Sequence, residues 1–414
     1  MLNYYLSYKN KIKSEFTELN RGGRGWILIV ISAGWFLSLG IRTVFPALLP
    51  YFGSEFNMSL TTGGLLLSVL WGAYAFGQFP GGILGSRYGE RNMLIISTIV
   101  STVAILLIAA AESTTTLFIG TIAFGFATAL FGPLRFTIFT RVFPDRTGTV
   151  VGITMACGNF GNATLPVFAG IMATVAVWRY SFWLIAPLFA ITTVAMWIHI
   201  PPTNGENNIK TDLTSASILE GVKELFVGIN QRGIVRISMI EILMQIVVQG
   251  FVGFYPIYLI TIKNVSPAVA TTLFGIFFAS AIVLQPIVGI LQDRIGTKRT
   301  LLFIMVSLFI SLIGLFWATT LPMLLFLTLL ASSRSGTPVV NNTYVANALP
   351  PKIQASGLGI LRTGWLAVGA ISPIVIGILG DQGLLREAFL LLAMLTGIAV
   401  VLVMSVPNLD VQIA

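Results

Sequence analysis

Two short basic turns, standing half a chain apart, constrain this sequence more than any other feature in it. The first reads Gly82-Ile83-Leu84-Gly85-Ser86-Arg87-Tyr88-Gly89-Glu90-Arg91-Asn92-Met93-Leu94. It returns as Gly289-Ile290-Leu291-Gln292-Asp293-Arg294-Ile295-Gly296-Thr297-Lys298-Arg299-Thr300-Leu301, at an offset of half the 414-residue chain. Both copies share Gly-Ile-Leu, an Arg after it, a second Gly and a base beyond, and each copy separates two long apolar runs. Helices joined by so few polar residues must be antiparallel neighbours, and the glycines permit close approach and a sharp reversal. The chain reads as a duplicated array of membrane helices.

Composition agrees. The chain is 56% hydrophobic and 9% charged, with a mean hydropathy of +0.90, whereas a soluble domain carries about a quarter of its residues charged. A net charge of +9 does not make it a nucleic-acid binder, because the bases are scattered in short loops beside apolar segments. Cys157 is the only cysteine and His199 the only histidine, which excludes a disulfide framework and a thiolate or His-rich metal cluster. His199 is expected at the membrane interface. No His pair, Ser–His arrangement or phosphate-binding Gly-Lys-Ser/Thr loop is present, so neither an enzyme nor an ATP-driven pump is expected, and no cofactor.

Twelve spans follow from the apolar runs: 26–51, 62–84, 93–111, 116–141, 149–175 and 180–200, then 234–259, 268–291, 300–319, 321–344, 357–379 and 388–406. Each is long enough to cross about 30 Å of hydrocarbon. The expected organisation is an N-terminal tail (1–25), a six-helix half (26–200), a linker (201–233), a second six-helix half (234–406) and a C-terminal tail (407–414). The first 25 residues are polar and basic, so no cleavable leader is expected there. Within the linker, Ile218, Val222, Leu225 and Phe226 fall at helical spacing opposite Glu220 and Lys223, which predicts an amphipathic interfacial helix. Gln78 and Gln285 stand at the same half-chain offset as the turns, which extends the repeat beyond them. Of the Lys and Arg residues, Arg179, Lys263 and Arg386 fall in loops on one side, and Arg42, Arg135, Arg334 and Arg362 fall inside spans. All others fall on the opposite side, so that side and both termini are expected to be cytoplasmic.

The pattern Gly-x-x-x-Asp-Arg-x-Gly-x-Lys, filled in the second turn by Gly289, Asp293, Arg294, Gly296 and Lys298, resembles the signature loop of the major facilitator superfamily of secondary transporters. The first turn keeps Gly82, Arg87, Gly89 and Arg91 but departs at Ser86, where the family has its Asp, and at Glu90, where a base is usual. The resemblance implies an all-α membrane protein with twelve transmembrane helices in two pseudo-symmetric halves that work by alternating access. It also implies that the turn residues, Ser86 and Asp293 included, form a cytoplasmic gate, with Asp293 accepting from the start of span 5. Span 5 carries Gly161, Pro166 and Gly170 but lacks the adjacent Gly-Pro typical of proton-coupled drug antiporters, which counts against drug efflux.

An ionisable group at mid-membrane costs about 2.5–3.5 kcal/mol on insertion scales, so each needs a partner or a function. Arg42 on span 1, Arg135 on span 4, Arg334 on span 10 and Arg362 on span 11 qualify, against one acid, Glu241 on span 7. In the family, spans 1, 4, 7 and 10 line the central cavity. Glu241, Gln245 and Gln249 recur every four residues as one polar stripe, while Arg334, Thr337 and Asn341 share a face beside Asn342, with Pro338 placed to bend the helix. The expected substrate contacts are Arg42, Arg334, Arg135, Gln245, Gln249, Asn341 and Asn342. Glu241 and Arg362 are expected either to couple an ion or to pair structurally, and Asn159 and Asn162 to pack between helices. Four buried bases against one acid favour a small organic or inorganic anion, which guanidinium binds bidentately. Efflux of hydrophobic or cationic compounds is the alternative, and a membrane-embedded enzyme or a transporter-like receptor is a less favoured one. The expected partners are a small-molecule substrate, a co-transported proton or sodium ion, and the lipid bilayer around a monomer.

Overall fold

The structure is a computed structural model and describes residues 23–202, 232–349 and 354–406. Most of the N-terminal tail, the linker segment expected to form an amphipathic helix, and the C-terminal tail lie outside the described residues. Everything described is helical or a short connection. The first half comprises α1 (Arg24–Phe56), α2 (Leu60–Tyr88), α3 (Glu90–Ala109), α4 (Thr114–Val142), α5 (Thr147–Val175) and α6 (Arg179–His199). The second comprises α7 (Arg232–Thr261), α8 (Pro267–Ile295), α9 (Thr297–Trp317), α10 (Leu321–Ala331), α11 (Thr337–Ala348), α12 (Gln354–Gly369), α13 (Ser372–Asp381) and α14 (Leu385–Met404). Among the described residues, 11 segments are long and apolar enough to cross a membrane. The remaining predicted span, α5, has 29 residues and is long enough, but Asn159, Asn162 and its glycines and threonines make it less apolar.

The two basic turns are sharper than their sequence suggests: α2 passes into α3 through Gly89 alone, and α8 into α9 through Gly296 alone. These glycines adopt φ values of 86° and 82°, a region L side chains rarely enter. Gly82 and Gly289, expected to give close approach, have open space where a side chain would stand. Glu90, which departs from the family pattern, pairs with Arg141 at 2.9 Å. This end of the molecule is called the turn end. At the opposite, cap end, Ser59, Ser113 and Ser266 accept hydrogen bonds from the backbone N–H of Thr62, Thr116 and Val269, starting α2, α4 and α8.

Two spans are broken, each one residue pair ahead of a proline. Pro338 cannot donate to the carbonyl of Arg334, so the chain tightens into a 3-10 turn over Ser332–Gly336 between α10 and α11, and Thr337 N–H bonds that carbonyl instead. Pro373 likewise frees the carbonyl of Gly369, and Ala370 and Ile371 separate α12 from α13. The halves meet along two seams, α2 on α13 and α5 on α8. Buried aromatic residues such as Phe45, Phe124, Phe251 and Tyr258 fill the interior of each half, while Phe76, Val175, Ile191 and Trp317 face outward, as in a protein surrounded by lipid.

Candidate functional site

Each half brings a polar cluster to the interior, and the two clusters differ in charge. In the first half, Arg42 sits near the middle of α1 with 1% of its surface exposed. Its Nε donates to the carbonyl of Ser38, one turn back, at 3.0 Å. Its guanidinium lies over the rings of Tyr74 (3.9 Å), Trp35 (5.5 Å) and Trp71 (5.5 Å). Arg135 on α4, 2% exposed, donates from Nη1 to Gly132 O at 2.8 Å. It covers the other side of the site, 3.5 Å from the centre of Trp35 and 4.3 Å from that of Phe136. Trp35 is therefore a plate shared by two arginines, and it is held in turn by stacking on Phe131. Cation–π contact at a desolvated site contributes about 2 kcal/mol or more, which offsets part of the burial cost without cancelling the charge. Among the described residues, neither arginine has a carboxylate partner.

In the second half, Glu241 on α7 is 3% exposed and accepts from Gln245 Nε2 at 2.9 Å and from Asn341 Nδ2. Asn341 is fully buried, and its Oδ1 has no partner. Arg334 lies on the 3-10 turn, near Phe277, with its Nε buried and unpartnered. The direct Glu241–Arg362 ion pair is not made in this structure. Amides occupy both carboxylate oxygens, and Arg362 on α12 is exposed. The helix that carries it, α12, packs on α7 of its own half and on α2 of the other, which places it between the clusters. Gln249 is buried and Asn342 half-buried, without a described side-chain hydrogen bond.

Further polar groups tie or face this interior. Asn159 donates from Nδ2 to Gln285 Oε1 at 3.0 Å across the α5–α8 seam, and Asn162 accepts from Thr43 at 3.5 Å. Both are the interhelical packing groups the sequence suggests. His199 stacks on Trp26 at 5.1 Å. Buried polar atoms without a partner include Trp35 Nε1, Gln78 Nε2 and Arg135 Nε in the first half. Orphaned groups of this kind are rare in native interiors and mark places where polarity has a use.

Trp35, Tyr74 and Gln78 are the residues sequence reasoning missed. A signal existed: Trp35 and Arg42 lie two turns apart on one face of α1, as Tyr74 and Gln78 lie one turn apart on α2.

Of the turn residues, Ser86 donates to Ile83 O inside its own helix at 2.8 Å, and Arg87 lies over neighbouring Tyr88. Arg91 donates to Trp197 O, and Lys298 to Met404 O at 2.6 Å. Asp293 and Arg294 are exposed, and α5 begins without a side-chain cap. The contact expected between Asp293 and α5 is therefore not made in this conformation.

Known proteins share this architecture. The solved structure of the nucleoside transporter NupG superposes with a TM-score of 0.74 at 15% identity, covering 92% of this chain and 98% of NupG. The Escherichia coli O157:H7 transporter YgaY is 24% identical over 202 residues, 49% of this chain and 50% of that protein. The hexuronate transporter of Bacillus subtilis is 28% identical over 173 residues, 41% of this chain and 40% of that protein. The chain thus matches about half the length of these relatives or less. Other relatives are named for nitrite extrusion, riboflavin and multidrug transport. The sequence profile of the Major Facilitator Superfamily matches residues 30–261 and 237–410, and with nearly the whole chain so covered, the protein belongs to that superfamily.

Proposed function

We propose that this chain is a secondary transporter that moves a small organic or inorganic anion by alternating access of two six-span halves, 26–200 and 234–406. The observation that carries the reading is the pair of buried arginines on one indole. Among the described residues, Arg42 and Arg135 have no carboxylate partner, and Trp35, Gln78 and Arg135 keep buried N–H groups without an acceptor. An oxyanion supplies both the charge and the acceptors such a set lacks. Arg334, Asn341, Asn342, Gln245 and Gln249 would meet the ligand from the facing half. A relative named for hexuronate, a carboxylate, and one named for nitrite are in line with this reading. A cationic drug would meet two like charges there.

The test is affinity and melting temperature, side by side, over a panel of anions and cations, for Arg42→Gln, Arg42→Lys, Arg135→Gln, Arg334→Gln and Arg334→Lys. Losing a charge-assisted hydrogen bond worth roughly 1.5–3 kcal/mol should weaken anion binding about 10- to 150-fold. Lys should restore only part of it, because it keeps the charge without the planar fork. Normal affinity with depressed melting in all variants would overturn the anion site, as would a cation as the best stabilising ligand.

In the same reading twelve spans place both termini in the cytoplasm, supported by the bases gathered at the turn end. A tag inserted within residues 203–211 should report the cytoplasmic side, and an external tag there would overturn the orientation.

A further inference from the structure

At the cap end one carboxylate joins the two halves. Asp381, the last residue of α13, accepts the backbone N–H of Leu60 at 2.7 Å and of Thr61 at 2.9 Å, the first two residues of α2. A helix cannot satisfy these donors itself, and the positive end of its dipole favours an anion. Below the contact the two helices touch backbone to backbone: a Cβ on Gly64 would overlap the carbonyl of Pro373, and one on Gly377 the carbonyl of Leu60.

The internal repeat shows that this tie is particular to one seam. The half-chain counterparts of Leu60 and Asp381 are Pro267 and Thr174. Pro267 opens α8 and has no N–H to give, and Thr174 turns its hydroxyl back to Ile171 O in its own helix, at 2.8 Å. Donor and acceptor are thus replaced together on the α5–α8 seam. At the turn end, the described charged ties stay within one half: Arg91 to Trp197 and Arg141 to Glu90 in the first, Lys298 to Met404 and Arg236 to Ser405 in the second.

We propose that Asp381 is the gate residue that closes the cap end during the transport cycle. Its carboxylate holds the free N-terminus of α2 and must release it before the halves part at that end. The proposal rests on alternating access and is independent of which solute is carried.

The experiment uses the purified full chain in lipid nanodiscs, without added substrate, so that both ends meet the reagent whatever the orientation. Cys157→Ser removes the sole cysteine, and Leu67→Cys supplies a reporter on α2. Leu67 is fully buried, and a Cβ on Gly253 of α7 would come within 3.0 Å of it. The rate of maleimide labelling then reads how often this end opens. Asp381→Asn and Leu60→Pro should each raise the rate about tenfold, equivalent to about 1.4 kcal/mol. The double variant should gain less than the sum of the two separate free-energy effects, because both weaken one contact, in which the Thr61 N–H is the donor that Leu60→Pro leaves in place.

Leu60→Pro deletes the closer donor, yet it suits the first position of a helix. It follows Ser59 in extended backbone and reproduces Pro267 of the second repeat. Leu60→Ala, which removes the side chain and keeps the N–H, should leave the rate unchanged. Unchanged labelling in Asp381→Asn and Leu60→Pro would overturn the gate, and so would an equal rise in Leu60→Ala or additive rises in the double variant.

Discussion

The buried acid and the buried bases solve their burial problem in opposite ways. Arg42 and Arg135 are wrapped in aromatic faces, which attract a cation without neutralising it. Glu241 is held by two amides, Gln245 and Asn341. An amide carries both donors and acceptors, so Asn341, which now donates to Glu241 and whose Oδ1 has no partner, can turn over to accept from a protonated carboxyl. An arginine partner would serve only the charged form. We infer from this that Glu241 is the coupling group of the carrier, since an intramembrane carboxyl free to change protonation is the usual element of a proton relay. Glu241→Gln preserves size and hydrogen bonding but fixes the neutral state. In proteoliposomes it should keep exchange of substrate across the membrane while losing gradient-driven accumulation. Gradient-driven accumulation at the normal rate, in protein of ordinary melting temperature, would exclude the coupling role.

Among the elements, the two broken spans show what sequence reveals and what it hides. Pro338 marks a bend in the tenth span, because a missing N–H is a local property of the chain. The same reasoning applied to Pro373 would have found the break between α12 and α13. The span pattern, the duplication and the turns were legible for a similar reason: hydrophobic run length and glycine placement act over a few residues. Arg42, Arg135 and Glu241 stood out as charges in apolar runs. Their partners did not, since a tryptophan on α1 next to an arginine from α4, or an asparagine on α11 bonded to Glu241, depends on packing between distant segments. Gln78 and Gln285 were visible only as repeat markers. In the structure Gln285 bonds Asn159 across the seam, whereas Gln78 keeps a buried, unpartnered amide nitrogen. The repeat fixes their positions, and their neighbours give them different work.

For the whole molecule, the two ends are in different states. At the cap end Asp381 holds the start of α2, while at the turn end Asp293 is exposed and α5 starts uncapped. Rocking of the halves to close the turn end would carry the second-half turn toward the start of α5, where the positive end of the helix dipole attracts a carboxylate. Ser86, in the first-half turn, cannot act in the same way: its hydroxyl is neutral and already donates to Ile83 O. Asparagine keeps an acceptor but not the charge, so Asp293→Asn loses a charge–dipole contribution of about 0.3–1 kcal/mol, which should lower the population closed at the turn end by roughly 2- to 5-fold. Asp293→Asn should therefore slow transport markedly and leave the turn end more accessible to a water-soluble reagent. Ser86→Ala should change both only slightly. Transport rate and turn-end labelling measured together on the two variants check this, and equal defects would remove the asymmetry between the two signature turns.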